Sequence, residues 1–295
     1  MNQEIENIVK KRNLHPIAYE RNKSVYIIYC KDNNYVIKLN TNNYDIYKYL
    51  ISRNFLLFPE NFTNINDNYD ISLYVDETEI NKEQRLTDYI NIIALLHKKT
   101  SYNREIDLDE IKEKYETINN KLINLKKYYL DLNNKIDHEL FLSPSSYLLV
   151  RNITLIYNML DNTSLLLNDV YKTIKENKSI RVSLLHNSVD LDHLIISKED
   201  YLINWDKSYF DNPIYEIEKI FRKYYLDIEL NNLLKIYESI NNTTILEKKI
   251  LLVNLSIPKR LLLTNNTYLD TLNINNEINY LKKVYKLLIK YKNEL

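Results

Sequence analysis

In the stretch LLHNSVDLDHLII (184–196), His186, Ser188, Asp190, Asp192 and His193 form a short polar loop between two apolar runs. Buried apolar flanks around a polar loop are a common way to hold catalytic groups on a rigid frame. A carboxylate in such a loop could orient an attacking hydroxyl as a general base. His186, Asp190 and His193 together also have the donor types that suit a transition metal. The third reading is that His186 and His193 are hydrogen-bonded structural groups. A second polar patch follows in YLINWDKSYFDNPIYEIEKIF (201–221).

Composition limits the chemistry. The 295 residues contain no glycine, so a dinucleotide-binding turn and a Walker-type phosphate loop, which both need it, are excluded. Backbone positions with positive φ must fall to Asn or Asp, which tolerate them at some cost. The wealth of Asn, Ile, Lys and Leu, with 27 tyrosines, fits an AT-rich bacterial genome. Forty basic and 40 acidic residues cancel, so no global field argues for nucleic acid or an anionic membrane. The opening MNQEIENIVKKRNLHP has no apolar signal core. No run approaches the about 18 apolar residues of a membrane span. Cys30, the single cysteine, excludes an internal disulfide and fits a reducing cytoplasm.

The elements that must position the loop fall into two parts. SVYIIYC (24–30) and NYVIKLN (34–40) read as strands joined by a hairpin turn at 31–34. NYDIYKYLISRNF (43–55) has helical spacing, and YDISLYV (69–75) reads as another strand. Together they make a small antiparallel sheet carrying one helix, over 1–77. Helical patterning then takes over, first in TDYINIIALLHKKT (87–100) with Thr87 as its N-cap. Leu108, Ile111, Tyr115, Ile118, Leu122, Leu125, Tyr129, Leu132 and Ile136 alternate steps of three and four. LSPSS (142–146) interrupts this run, and similar spacing resumes from Val150 to Ile174. The pattern predicts an antiparallel helical hairpin at about 105–177, with a dimeric coiled coil as the other use of the same seam. The region 212–295 is again mostly helical, with a break at Pro258. Its basic amphipathic end either touches a membrane surface or, as is commoner, packs Leu281, Val284 and Leu288 on the core.

Order and pattern together make the chain resemble the aminoglycoside phosphotransferase and choline-kinase-like branch of the protein-kinase fold, nearest to the spore coat protein S group. YVIKL resembles the family's third strand, whose lysine contacts ATP phosphates, and this gives Lys38 that position. IIALLHKKT resembles the family's Leu-His helix, with His97 in the histidine place. LLHNSVDLDHLII resembles the catalytic loop H-G-D-x-x-x-x-N. Aligned on His186, Ser188 falls where the catalytic aspartate belongs and His193 where the metal-binding asparagine belongs. LINWD resembles the strand IDWE, with Asn204 in place of the magnesium aspartate and Trp205 kept. FDNPIYEIEKIF resembles GDPAYDLA, with Asp211 and Pro213 kept.

The resemblance implies an α+β, two-lobed protein-kinase-like fold, with a small antiparallel-sheet lobe over 1–77 and a mostly helical lobe over 78–295. The departures imply lost chemistry. Ser188 is neutral, and losing a positioned base typically costs about 10²–10⁴ in rate. Asn204 lacks charge, and the imidazole of His193 suits magnesium poorly. Asp45 is the only acid near the family's partner position for Lys38, which stands either as a phosphate contact or as a strand lysine with its head in solvent. The expectation is a catalytically degenerate pseudokinase that binds or scaffolds, in the cytoplasm or a spore coat, with a protein partner. Nucleotide or small-molecule binding stays open; no nucleic acid, membrane or cofactor is expected. The alternative is an active small-molecule kinase using ATP and magnesium, with Asp190 or Asp192 brought into the catalytic place by a shift of register.

Overall fold

The computed structural model describes residues 3–22, 25–39, 44–63, 69–264 and 266–294. The expected strand ends at Ser24 and Asn40 and the expected helix start at Asn43 lie outside the described residues. The fold is α+β: a small antiparallel sheet near the N-terminus precedes a larger, mostly helical part. The chain groups into two compact units. One comprises Met1–Tyr102, Val182–Glu216 and Leu226–Asn242, the other Asn103–Arg181, Ile217–Tyr225 and Thr243–Leu295.

In the first unit, β1 (Pro16–Asn22), β2 (Val25–Cys30), β3 (Tyr35–Leu39) and β4 (Tyr69–Leu73) pair antiparallel in chain order. The expected turn at 31–34 joins β2 to β3. Strand alternation sends Tyr26, Ile28, Ile37 and Ile71 to one face, where α1 (Gln3–Lys11) covers them with Ile5 and Val9. Neither α1 nor β1 was expected. The helical spacing of α1 is confined to Ile5, Ile8 and Val9, and β1 is an edge strand exposed along its whole length. On the opposite sheet face Lys38 lies directly across from Asp70, which is buried.

The missing glycines are replaced in a specific way. Among the described residues, every positive-φ position is an asparagine: Asn13, Asn54, Asn187 and Asn204, with φ of 52°, 54°, 59° and 65°. Two of them end helices. After α2 (Tyr44–Ser52), the amide of Asn54 donates to the Ile51 carbonyl at 2.9 Å and that of Phe55 to Leu50 at 3.0 Å. After α1, the Asn13 and Leu14 amides donate in the same way to the Lys10 and Val9 carbonyls, at 3.1 and 3.0 Å. Both are Schellman ends with asparagine at the left-handed position; Leu50 and Phe55 are buried, as is Val9, while Leu14 is partly buried.

Helix α3 (Lys82–Thr100) begins earlier than the spacing predicts. Its N-cap is Asn81, whose side chain accepts from the Gln84 amide at 2.8 Å. Thr87 lies inside the helix and its hydroxyl donates to the Glu83 carbonyl four residues back, so it has no capping role. The buried face of α3 packs on α7 (Leu230–Glu238), and the short strand β5 (Tyr102–Glu105) follows α3 in the chain.

The second unit is built on the expected hairpin. Helices α4 (Leu108–Asp137) and α5 (Pro144–Glu176) run antiparallel, as the ties Tyr115–Asn168, Lys126–Asp161 and Tyr129–Tyr157 require. Pro144 opens α5 behind Ser143 as N-cap. The seam of Leu122, Leu125, Tyr129, Leu132 and Ile136 is buried within the chain, so the surface a coiled-coil partner would need is already covered in cis. Helices α8 (Ile245–Ser256) and α9 (Thr267–Glu294) also pack on α5, and Leu281, Val284 and Leu288 are buried as expected. Glu247 closes a capping box with Thr244 while clamping Arg181 through both oxygens, at 2.8 and 2.7 Å. Among the described residues no helix is long and apolar enough to cross a membrane.

The asparagine caps are directly testable. Glycine at position 54 removes the steric penalty of the left-handed conformation, so Asn54→Gly is expected to hold or raise the unfolding midpoint in urea. Asn54→Ala places a Cβ there without the local hydrogen bonding of asparagine and is expected to cost about 1 kcal/mol.

Candidate functional site

Strand β6 (Ser179–Leu185) delivers the polar loop, and its last residues pair antiparallel with β9 (Tyr209–Asp211). Beyond the loop, the two-residue strands β7 (Leu194–Ile195) and β8 (Tyr201–Leu202) pair with each other and return the chain to Ile203 and Asn204. The turns at both ends need left-handed backbone, supplied by Asn187 and Asn204.

Two histidines stitch the segments together. His186 is buried, and its Nε2–H donates to the Ile203 carbonyl at 2.7 Å. Its Nδ1 has no hydrogen-bond partner, and its ring meets the edge of Trp205 at 4.9 Å. Burial pushes the His186 pKa below its ordinary value, against the charge of Glu216 and the bond to Ile203. His193 donates through Nδ1 to the Ser188 carbonyl at 2.8 Å, and its own carbonyl accepts from the Ile203 amide at 3.0 Å. A carbonyl can only accept, so these bonds set which ring nitrogen carries the proton.

The start of the loop is held from below by Glu216, at the beginning of α6 (Ile214–Tyr224). Its carboxylate is fully buried and accepts from the His186 amide at 3.0 Å, the Asn187 amide at 2.6 Å and His97 Nε2 at 2.9 Å. His97 reaches the Tyr237 hydroxyl through Nδ1 at 2.9 Å, and Asn241 donates to that hydroxyl at 2.7 Å. Burial alone would raise the Glu216 pKa. The hydrogen bond from His97, the charges of His97 and His186 and the Asn187 amide outweigh it and hold the carboxyl below its ordinary range. From the other side, Arg85 of α3 donates to the carbonyls of Leu191 and Leu194, at 3.0 and 2.6 Å, and pairs with Glu77.

Of the residues singled out from the sequence, Lys38 and Asn204 meet. Lys38 Nζ donates to Asn204 Oδ1 at 3.4 Å across 166 positions of chain. Ser188 is buried. The carboxylate of Asp190 caps the short 3₁₀ turn Leu191–His193 by accepting from the Asp192 amide at 3.3 Å, and Asp192 is exposed. Asp45 is exposed in the first turn of α2. Tyr47 of α2 has its hydroxyl pKa pushed well up by burial and by the charges of Asp70 and Asp206. Among the described residues no three His, Cys, Asp or Glu side chains are grouped to hold a metal ion, so His186, Asp190 and His193 are not brought together as a ligand set.

Sequence reasoning missed Glu216, Asp70 and Arg85. Glu216 left a signal: it lies on the apolar stripe of Ile217, Ile220 and Phe221, where a carboxylate requires buried partners. Asp70 left none, because an acid alternating with Ile71 reads as the solvent face of a strand.

No family model and no curated protein matches this chain. Solved structures do. An aminoglycoside phosphotransferase from Alicyclobacillus acidocaldarius superposes with a TM-score of 0.69 at 11% identity, over 95% of this chain and 92% of that one. An AMP-bound spectinomycin phosphotransferase superposes with a TM-score of 0.50 at 12% identity, over 95% and 98%. The α+β fold of this chain is therefore the kinase-like fold that these phosphotransferases share.

The buried network gives stability a definite pH response. Both His186 and Glu216 have folded pKa values below their ordinary 6.5 and 4.5, so the unfolded chain binds protons first as pH falls. Stability is expected to be full above pH 6.5, to decline below it as His186 resists charging, and to fall further below 4.5 as Glu216 protonates. Thermal midpoints followed over this range check the course. Glu216→Ala, which strands two amides and His97, is expected to cost about 3–5 kcal/mol.

Proposed function

We propose that this chain is a catalytically degenerate phosphotransferase-fold protein, a pseudokinase whose role is binding or scaffolding. The observation that carries the reading is the hydrogen bond from Lys38 to Asn204. In the resembled family these positions hold a phosphate-binding lysine and a magnesium-binding aspartate. Here the amide oxygen at the metal position faces an ammonium group. Magnesium favours charged oxygen ligands in octahedral array. The pair His193 and Asn204 offers it an imidazole nitrogen and a neutral amide, which do not fit. At position 188 a neutral hydroxyl stands where a base would orient the acceptor. Asp190 is engaged as a turn cap and Asp192 faces solvent, which speaks against either as a relocated base.

Without phosphoryl transfer, the frame of His97, His186, Trp205 and Glu216 serves to hold a shaped surface. A protein partner, and a scaffold role in the cytoplasm or in a spore-coat-like layer, follow from the family resemblance. The phosphotransferase comparison extends that reading only as far as the fold.

Thermal denaturation with ATP, with and without magnesium, tests this. Ligand at about 100 times its dissociation constant adds roughly 2.7 kcal/mol, a shift of a few degrees. The expected outcome is no magnesium-dependent shift. A clear magnesium-dependent rise would overturn the reading. So would ATP consumption that Asp190→Ala or Asp192→Ala abolishes, in favour of an active small-molecule kinase.

A further inference from the structure

The connection between α4 and α5 ends the helical hairpin in a pair of bare apolar side chains. Leu140 is 95% exposed and Phe141 92% exposed. Paired large apolar groups held fully in water are unfavourable unless something covers them. A groove of about 940 Å³ adjoins them, lined among others by Leu132 and Ile136 of α4 and by Leu262 and Leu263. Its lining continues to His138 and Glu139, the two residues just before Leu140. Knob and groove are thus neighbours on one surface, and the knob does not fill its own groove.

That arrangement is self-complementary under a two-fold axis, which brings the same patch of two copies face to face. Each copy can then place its knob in the other's groove. The charges agree. Asp131 and Lys135 both line the groove, one helical turn apart on α4. A two-fold axis that sets α4 antiparallel to its copy opposes Asp131 of one copy to Lys135 of the other, twice. The formal net charge of zero leaves no long-range repulsion between copies. An anionic lipid surface fits less well, because Asp131 and Glu139 line the groove beside the knob.

We propose that this face is a two-fold self-association surface, in which Leu140 and Phe141 of each copy occupy the groove along 128–139 of the other. It shares Leu132 and Ile136 with the lower end of the α4 seam, whose remaining residues Leu122, Leu125 and Tyr129 lie outside the groove.

Sedimentation velocity and light scattering of the full chain, over a wide concentration range, test the proposal. A reversible monomer–dimer equilibrium is expected. Phe141→Glu is expected to weaken it by at least about tenfold, since apolar anchors seated in pockets dominate such interfaces. Its thermal midpoint at low concentration should match that of the parent, because position 141 is solvated in the monomer. Lys135→Asp is expected to weaken dimerisation, and Asp131→Lys added to it to restore the dimer. A chain that stays monomeric at its highest soluble concentration would overturn the proposal. So would a dimer indifferent to Phe141→Glu. A monomer that co-sediments with phosphatidylcholine vesicles through Phe141 would assign the knob to lipid instead.

Discussion

One ionised carboxylate, Glu216, is sealed in the interior of the first unit, and the geometry of the polar loop follows from how it is satisfied. A charge taken out of water there is tolerable only with full pairing. Two successive loop amides and a histidine from α3 supply it. Because both amides belong to the loop, the carboxylate holds the backbone at His186 and Asn187 and forces the left-handed turn at Asn187. The ring of His186 then ties the loop to Ile203, and Asn204 follows in reach of Lys38. The ties from Glu216 and from the His186 ring draw on no side chain at 188.

The second constraint is the total absence of glycine. A kinase-like fold uses left-handed backbone at helix ends and around its loop, and this chain meets each such described position with asparagine. Asparagine tolerates this conformation because its short polar side chain can hydrogen-bond locally. The cost is modest at an exposed helix end such as Asn54. Close approach of backbone to phosphate is a stricter demand, since any Cβ intrudes. The chain can thus keep the fold under this composition more readily than it can keep a glycine-lined phosphate grip.

Periodicity carried the long elements well. The α4–α5 hairpin, the pairing of β2 with β3 and the buried face of α9 were all legible, because repeated apolar spacing over several turns or strand residues leaves little ambiguity. Short elements were not. Helix α1 has too few turns, β1 is exposed throughout, and the start of α3 was misplaced because a threonine inside a helix looks like a cap until its partner is known. At the site, the frame could be aligned from His186 and Trp205. The clamps from Glu216 and Arg85 could not, since each joins positions far apart in the chain.

By itself the sequence determined which residue types were on hand: no glycine, no carboxylate at 188, 193 or 204, and a lysine at 38. Those identities limit the chemistry whatever the chain's path. Tertiary structure alone decided which of them meet. Lys38 and Asn204 are 166 positions apart, and only the folding of β3 and β8 into one unit brings ammonium to amide. It also decided that the heptad seam of α4 is satisfied within the chain while Leu140 and Phe141 are left in water. The reason is physical: burial depends on which surfaces a closed chain can cover, and that is a property of three-dimensional packing, not of spacing along the chain.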